Sequence, residues 1–233
     1  MKTRKRPGRA ILTVRKKVAR VARILERIYG AQQVDADDNV LDSLIGCMLS
    51  QNTTDVNSDR AWRELKRRFP TWAAAARAPV GQIESAIRVA GLAPSRSRRI
   101  KGILSLVGRT RGRYDLEFIK DMSDGEAFRY LASLDGVGKK TAAVVLLFAC
   151  GRDVFPVDTH IHRIAQRLGF VGEGSSRDEV FEAMKPHVPK GKALSLHLNL
   201  IRFGRERCRK RRPLCPGCPL RRECLYVKGL VEF

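Results

Sequence analysis

Residues 134–142 read LDGVGKKTA, and this stretch decides the fold. It joins one short predicted helix to a strongly apolar one that continues as AVVLLFAC. Gly136 and Gly138, which are separated by one residue, permit a tight turn and the close approach of another backbone. The second helix presents unpaired N–H groups and the positive end of its dipole, which together favour an anion. The stretch therefore predicts a phosphate-binding hairpin between two helices, with a plain connecting turn as the alternative.

Four of the six cysteines share one short segment near the C-terminus, spaced as Cys208-x6-Cys215-x2-Cys218-x5-Cys224. Thiolates are soft ligands, and four of them on one loop can enclose either an iron–sulfur cluster or a single zinc ion. Zinc knuckles usually contain two short Cys-x2-Cys pairs, and only one such pair is present here. This spacing favours a 4Fe–4S cluster over zinc. The other two cysteines, Cys47 and Cys150, are predicted to be buried thiols rather than a disulfide.

The charge of the chain is concentrated at its two ends. Lys and Arg number 46 against 24 Asp and Glu, a formal net charge of +22. Residues 1–30 supply +10 of this charge (eleven cations, one acid), and residues 202–228 supply +8 (ten cations, two acids). If the two ends meet, they form a basic wall suited to phosphate neutralisation with counterion release. A solvated charge run that only aids solubility is the alternative.

The composition bounds the class of protein. With 233 residues and 43% hydrophobic residues, the chain can form one large domain or two small ones. Aromatic residues make up 6%, which disfavours stacking along single strands. The longest apolar run, about residues 142–151, is far shorter than the ~20 residues that span a bilayer. DNA is therefore the expected partner, and no membrane association is expected.

The N-terminal segment has an amphipathic helical pattern over residues 12–29. One stripe is apolar, and its members are Val14, Val18, Val21, Leu25 and Ile28. An Arg-rich N-terminus is also typical of a mitochondrial transit peptide, but no serine precedes Ser43, and transit peptides are rich in serine. We expect a structural helix preceded by a basic tail. The expected location is the prokaryotic cytoplasm, in association with the nucleoid, and organellar targeting stays open.

Helical periodicity recurs along the chain, and the alternation typical of strands is essentially absent. Ser123-x-x-Glu126 and Ser176-x-x-Glu179 have the pattern of capping boxes in front of apolar stripes. Asp55 is the expected cap of another helix. These patterns predict about ten short helices and no sheet.

A second motif follows the hairpin at a fixed distance. Eighteen residues after Lys140 comes Asp158, in the stretch VDTH (residues 157–160), which opens another predicted helix. Taken alone, Asp158 would be read as an N-cap, and Lys140 as a surface lysine. The hairpin, VDTH and the four cysteines occur in order in one chain, however. This combination resembles the endonuclease III family of helix-hairpin-helix DNA glycosylases, over about residues 41–226.

The resemblance implies a bifunctional DNA glycosylase and AP lyase of base excision repair that removes oxidised pyrimidines. Lys140 falls on the family's catalytic lysine, and Asp158 on its catalytic aspartate. The cluster ligands fall on Cys208, Cys215, Cys218 and Cys224. Lysine chemistry suits this role, because the amine can attack the sugar C1′, displace the base and form a Schiff base. β-Elimination then nicks the strand.

The resemblance also implies a set of DNA contacts on duplex DNA that carries a damaged base or an AP site. The DNA-binding hairpin falls on Gly136, Val137, Gly138, Lys139 and Thr141. Leu92 falls on the residue that plugs the base stack, and either Gln51 or Asn52 falls on the one inserted beside the flipped nucleotide. Such wedges are needed because the damaged base must leave the stack before it can react. The hairpin departs from the family at Asp135, where proline is common, which bears on substrate preference.

Two other functions compete with this interpretation. One is a monofunctional glycosylase for mismatched adenine, thymine or uracil, which the lysine at position 140 disfavours. The other is a non-catalytic hairpin module that only binds DNA, which the joint presence of Lys140 and Asp158 disfavours.

The expected architecture is an all-α, two-domain helix-hairpin-helix glycosylase fold in a monomer. Residues 34–152 form a helical barrel domain with the hairpin. Residues 153–233 form the C-terminal helices and the 4Fe–4S cluster loop, and residues 1–33, a basic tail and a helix, pack with them. The catalytic cleft is expected between Lys140 on one wall and Asp158 on the other.

Overall fold

The computed structural model describes residues 7–33 and 39–231, with the backbone alone for residues 7–12. The expected basic tail before residue 7 lies outside the described residues, as does the expected domain boundary at residue 34. The described residues form two compact units. One combines residues 7–33 with residues 153–231, and the other consists of residues 39–152.

The prediction of an all-α fold is confirmed: the described residues contain eleven α-helices, four short 3-10 helices and no strand. The α-helices are α1 (Pro7–Tyr29), α2 (Val40–Ser50), α3 (Asp55–Arg68), α4 (Trp72–Arg77), α5 (Val80–Ile87), α6 (Ala93–Arg111), α7 (Asp124–Ser133), α8 (Lys139–Phe148), α9 (Thr159–Leu168), α10 (Arg177–Met184) and α11 (Ala193–Glu206). None of these described helices is both long and apolar enough to span a membrane.

The unit of residues 39–152 contains α2 to α8. Helix α2 packs against α8, the second helix of the hairpin. Both are apolar on several sides, and their inward side chains, such as Leu44, Ile45, Ala142 and Leu146, are fully buried. Burial on more than one face stabilises α8 by the hydrophobic effect, even though β-branched residues lower its intrinsic helix propensity. The hairpin therefore ends on a helix that the core holds in place.

The other unit contains α1, α9, α10, α11 and the segment with the four cysteines. Helix α1 packs against α11 through the predicted apolar stripe, in which Val18, Val21 and Leu25 are fully buried. Ile28, the last member of the stripe, lies one residue before the end of the helix and is 48% exposed.

The predicted capping boxes are both confirmed, with reciprocal serine and glutamate hydrogen bonds at the starts of α7 and α10. The expected cap at Asp55 is wrong. Thr54, in an extended conformation, is the N-cap of α3, and its hydroxyl accepts from the Asn57 N–H at 3.2 Å. Asp55 is instead the first residue of the helix, where its negative carboxylate interacts favourably with the positive end of the helix dipole.

Candidate active site

The hairpin turn between α7 and α8 has the geometry that its glycines suggest. Gly136 has a φ of 78°, in the left-handed region, and the Val137 N–H donates to the Leu134 carbonyl at 3.0 Å. Gly138 is the N-cap of α8, and no side chain caps that end of the helix. The first N–H groups of α8 therefore have no capping side chain, which suits them to bind an anion.

Asp135, the departure from the family pattern, lies at the edge of this turn. Its side chain is 80% exposed, and its Oδ1 lies 3.8 Å from the Arg99 Nε. An exposed ion pair of this length contributes little to stability. It does place the Arg99 guanidinium beside the negative charge that Asp135 adds to the hairpin.

Lys140, the second residue of α8, is half-buried. Its Nζ lies 4.0 Å from the Sγ of Cys47, a buried thiol on α2. No carboxylate forms an ion pair with Lys140 within the part of the chain that the structure describes. The amine therefore lies beside a thiol at the positive end of a helix.

Gln51 and Asn52 lie in the turn that follows α2, and their contacts and exposure differ. The Gln51 Nε2 donates to the Thr141 hydroxyl at 3.1 Å, so this side chain is engaged inside the protein. Thr141 itself is 3% exposed, although the sequence suggested a DNA contact there. Asn52 is exposed, with a φ of 52°. Of the two amides, only that of Asn52 projects from the surface.

Leu92 lies at the start of α6, and its side chain is 60% exposed. Its φ of 51° is unusual for a residue with a branched side chain. An apolar side chain held outward in a strained conformation cannot be explained by the core. It suits a residue that inserts into another molecule.

Arg96 is a residue of this region that the sequence analysis missed. It is 4% exposed, and its guanidinium donates to backbone carbonyls beside both Asn52 and Leu92. The available signal was an arginine on the apolar face of α6, one turn after Leu92 and near Ile100. That signal is weak, because long cations often cover apolar surface with the charged end in water.

Asp158 is the N-cap of α9 and belongs to the other unit. Its Oδ1 accepts from the Ile161 N–H at 2.7 Å, as an N-cap should. The second carboxylate oxygen has no hydrogen bond to any residue that the structure describes. The cap fixes the direction of the carboxylate and leaves one oxygen for another partner.

The four clustered cysteines line one small cavity together with apolar side chains that include Phe203 and Leu220. Burial raises the pKa of the Cys215 and Cys218 thiols, and negative charge on the neighbouring cysteines raises it further. Within the described residues, no three His, Cys, Asp or Glu side chains are placed so that they could hold one metal ion. The cavity thus brings together a donor set of four thiols.

Two arginines of α9 bind the segment around these cysteines. The Arg163 guanidinium donates to the Cys208 carbonyl at 2.7 Å and 3.1 Å. Arg167, which is 1% exposed, donates to the carbonyls of Arg209 and Lys210 at 2.8 Å and 3.2 Å. These contacts hold the first part of the cysteine segment against α9.

His160 and His162, the other side chains with metal-ligand spacing, have protein partners. The His162 Nε2 lies 2.7 Å from the Ser175 carbonyl, and the His160 Nδ1 lies 3.2 Å from the Arg163 Nη2. A structural role accounts for both rings.

Comparisons with known proteins agree on one family. A family model described as HhH-GPD superfamily base excision DNA repair protein matches residues 45–190, which include the hairpin and Asp158 and end before the four cysteines. An endonuclease III of Sulfolobus acidocaldarius is 34% identical over 190 residues, 81% of this chain and 82% of that protein. A putative DNA glycosylase of Arabidopsis thaliana is 38% identical over 182 residues, 78% of this chain but 59% of that protein. A solved structure of a trapped endonuclease III–DNA covalent intermediate is 27% identical, with a TM-score of 0.78 over 92% of this chain and 97% of that chain.

Proposed function

The chain belongs to the HhH-GPD superfamily of base excision DNA repair proteins and, within it, to the endonuclease III family, and we propose that it acts as a bifunctional glycosylase and AP lyase. It is an endonuclease III-like DNA glycosylase. Our proposal adds the lyase activity, the lysine Schiff-base chemistry and oxidised pyrimidines in duplex DNA as the substrate.

The observation that carries the proposal is the setting of Lys140. A lysine amine must be unprotonated to attack the sugar C1′, and a carboxylate partner would hold the proton on it. Lys140 instead lies beside the Cys47 thiol at the start of α8, and it forms no ion pair with a carboxylate of the described residues. Attack forms a C1′–Nζ bond and breaks the glycosidic bond, and the base leaves with its electron pair and takes up a proton. The C1′–O4′ bond then breaks as O4′ takes up a proton, which opens the sugar ring and leaves the iminium. The iminium acidifies the C2′ proton, and loss of that proton breaks the C3′–O bond and expels the 3′ phosphate.

Asp158 is the proposed acceptor of the proton that the amine loses. Its N-cap bond to Ile161 fixes the carboxylate and occupies one oxygen. The other oxygen is left to accept a proton or to stabilise positive charge on the sugar. A structural cap and a catalytic carboxylate are thus compatible at this position.

Recognition of a flipped nucleotide is assigned to the hairpin and to two exposed side chains. The uncapped N-terminus of α8 would bind a DNA phosphate, and Leu92 would fill the gap in the base stack. Asn52 is proposed as the inserted amide in preference to Gln51, because the Gln51 amide is bound to Thr141.

A 4Fe–4S cluster is the proposed occupant of the cysteine cavity. Each thiolate of a cubane binds a different iron, so four thiols that line one cavity supply the donor set of the cluster. The single short Cys-x2-Cys pair in the segment disfavours a zinc knuckle. The bound cluster would join four points of the segment and present the exposed cations Arg209, Lys210, Arg211 and Arg212 to phosphates. The chemistry of Lys140 needs no redox step.

Borohydride trapping tests the function directly. The protein is incubated with duplexes that contain an AP site or thymine glycol, and borohydride then reduces any Schiff base to a stable adduct. We expect an adduct with both duplexes, none for Lys140→Gln, and a greatly reduced rate for Asp158→Asn. Lys190→Gln, a change at an exposed lysine, is the matched control.

The outcomes separate the competing functions. Base release without an adduct would indicate a monofunctional glycosylase, and an adduct with the AP site alone would leave only the lyase. An adduct that survives Lys140→Gln would refute the assignment of the nucleophile. Iron and sulfide in equal amounts, with visible absorption, would support the cluster, and zinc without sulfide would exclude it.

A further inference from the structure

Arg96 is a buried cation on α6 with no role in the chemistry proposed above. It is 4% exposed, and burial lowers the pKa of its guanidinium. Burial of a charge costs free energy unless hydrogen bonds satisfy it. The fold therefore retains this arginine at a cost, and its contacts indicate the reason.

The guanidinium connects two separate turns of the chain. Its Nη1 donates to the carbonyls of Ala90 and Gly91 at 3.1 Å and 2.8 Å. Its Nη2 donates to the Gln51 carbonyl at 2.6 Å, across 45 residues of sequence. The planar guanidinium can serve both turns at once because its donors point in fixed, divergent directions.

Two of these carbonyls immediately precede a residue with a left-handed backbone, which is strained at Leu92 and less so at Asn52. The Gln51 carbonyl precedes Asn52 (φ 52°), and the Gly91 carbonyl precedes Leu92 (φ 51°). Only one other non-glycine residue in the described part of the chain, Arg212, has a positive φ. A peptide unit is planar, so fixing its carbonyl oxygen also fixes the N–H of the next residue and restricts the φ of that residue. Left-handed conformations cost about 1–2 kcal/mol each and persist only where the surroundings hold them.

We propose that Arg96 is a positioning residue that holds Asn52 and Leu92 in their outward, left-handed conformations as one rigid pair. This inference rests on the proposed function, in which both side chains enter the DNA at a flipped nucleotide. The Gln51 side chain extends the connection to Thr141, next to Lys140 on α8. Arg96 thereby sets the register between the inserted side chains and the nucleophile, all within the unit of residues 39–152.

The test compares Arg96→Met and Arg96→Lys with Lys101→Met. Lys101 is the matched control, because it lies on the same helix and donates to the carbonyls of Ala76 and Ala78 but contacts neither turn. Binding is measured on a duplex with a tetrahydrofuran AP-site analogue opposite 2-aminopurine, whose fluorescence reports displacement of the opposite base. Single-turnover cleavage is measured with an AP site in a duplex and with the same AP site in an unpaired bubble.

Arg96→Met is expected to lose the fluorescence change and about 100-fold of the cleavage rate in the duplex, the order expected for misplacement by about 1 Å. Cleavage in the bubble should stay close to that of the unchanged protein, because an unpaired nucleotide needs no wedge. Lys101→Met should alter neither readout, even if it lowers stability. If Arg96→Met does not fold, Arg96→Lys decides, since one ammonium cannot reproduce the fork and should show the same selective loss.

Equal losses in duplex and bubble, or no loss in either, would overturn the inference. Failure of the proposed function gives a different result. In that case the unchanged protein changes the 2-aminopurine fluorescence but forms no borohydride adduct, and the Arg96 variants still report on positioning.

Discussion

The two glycines of the hairpin turn, at the scale of single residues, are retained for different reasons. Gly136 has a φ of 78°, and a Cβ there would lie 2.5 Å from the Arg99 Cδ. Gly138 has an ordinary φ of −82°, and a Cβ there would meet nothing within 4 Å. The fold requires glycine at position 136 but not at position 138. Close approach of a DNA backbone to the start of α8 would explain why position 138 is also a glycine.

Alanine substitutions at these positions should therefore separate folding from binding. Gly136→Ala should lower the free energy of unfolding by about 1–2 kcal/mol because of the left-handed backbone. Gly138→Ala should leave the free energy of unfolding nearly unchanged, because two effects oppose each other. Alanine is a poorer N-cap residue than glycine, which destabilises the folded protein. It also lowers the entropy of the unfolded chain, which stabilises the folded protein by comparison. Gly138→Ala should nevertheless weaken binding to AP-site duplex. Urea unfolding and fluorescence anisotropy measure the two effects, and unchanged DNA affinity in Gly138→Ala would place the phosphate elsewhere.

Helix α9 is the element that joins the proposed catalytic carboxylate to the cysteine segment. Asp158 caps its start, and Arg163 and Arg167 bind the carbonyls of residues 208–210 from its later turns. The carboxylate and the first part of the cysteine segment are therefore held by the same helix.

The capping boxes of α7 and α10 make these helices sensitive to acid. A hydrogen bond from the Ser123 side chain lowers the pKa of Glu126, and one from the Ser176 backbone lowers the pKa of Glu179, both from 4.5. The unfolded chain then binds more protons than the folded one as pH falls below 4.5. Stability that is fully present above pH 4.5 is therefore lost as pH falls through the folded pKa values.

Glu126→Gln with Glu179→Gln should flatten this dependence. Glutamine keeps the reciprocal hydrogen bonds of a capping box but does not titrate in this range. We expect the urea midpoint of the double variant to fall less steeply than that of the unchanged protein below pH 4.5. Parallel curves for the two proteins would show that the capping carboxylates do not contribute to acid unfolding.

The whole molecule carries a net charge of +22, and much of it lies in two terminal stretches. In the described residues, the cations from Arg209 to Arg212 are all exposed. If they neutralise phosphates, each should release counterions when DNA binds. The salt dependence of affinity then reports how many of them contact the backbone.

Arg211→Gln and Arg212→Gln should each reduce the slope of log K against log salt concentration by about 1. Lys185→Gln is the control, because this exposed lysine pairs with Glu182 at 2.6 Å. Affinity for AP-site duplex is measured by anisotropy over a range of salt concentrations. Slopes that match that of the control would mean that these arginines are solvated charges without a phosphate partner.

Local features of this protein were determined by the sequence alone. The capping boxes, the hairpin glycines and the N-cap at Asp158 depend on residues within about one helical turn, so their spacing is sufficient to predict them. The all-α class follows from the same short-range periodicity. Prediction failed at Asp55, because the neighbouring Thr54 can also cap a helix and is the residue that the fold uses. The periodicity places Ile28 on the stripe of α1, but its exposure depends on what lies opposite.

Tertiary structure alone decided the contacts between distant residues. Arg96 reaches Gln51 across 45 residues, Gln51 reaches Thr141 across 90, and Lys140 meets Cys47 across 93. These contacts exist because α2, α6 and α8 pack together, and helix packing depends on the shapes of whole surfaces rather than on any local pattern. The sequence thus determined the type of each element and its chemically reactive groups. Packing determined which carbonyls hold the exposed side chains outward and what surrounds the amine.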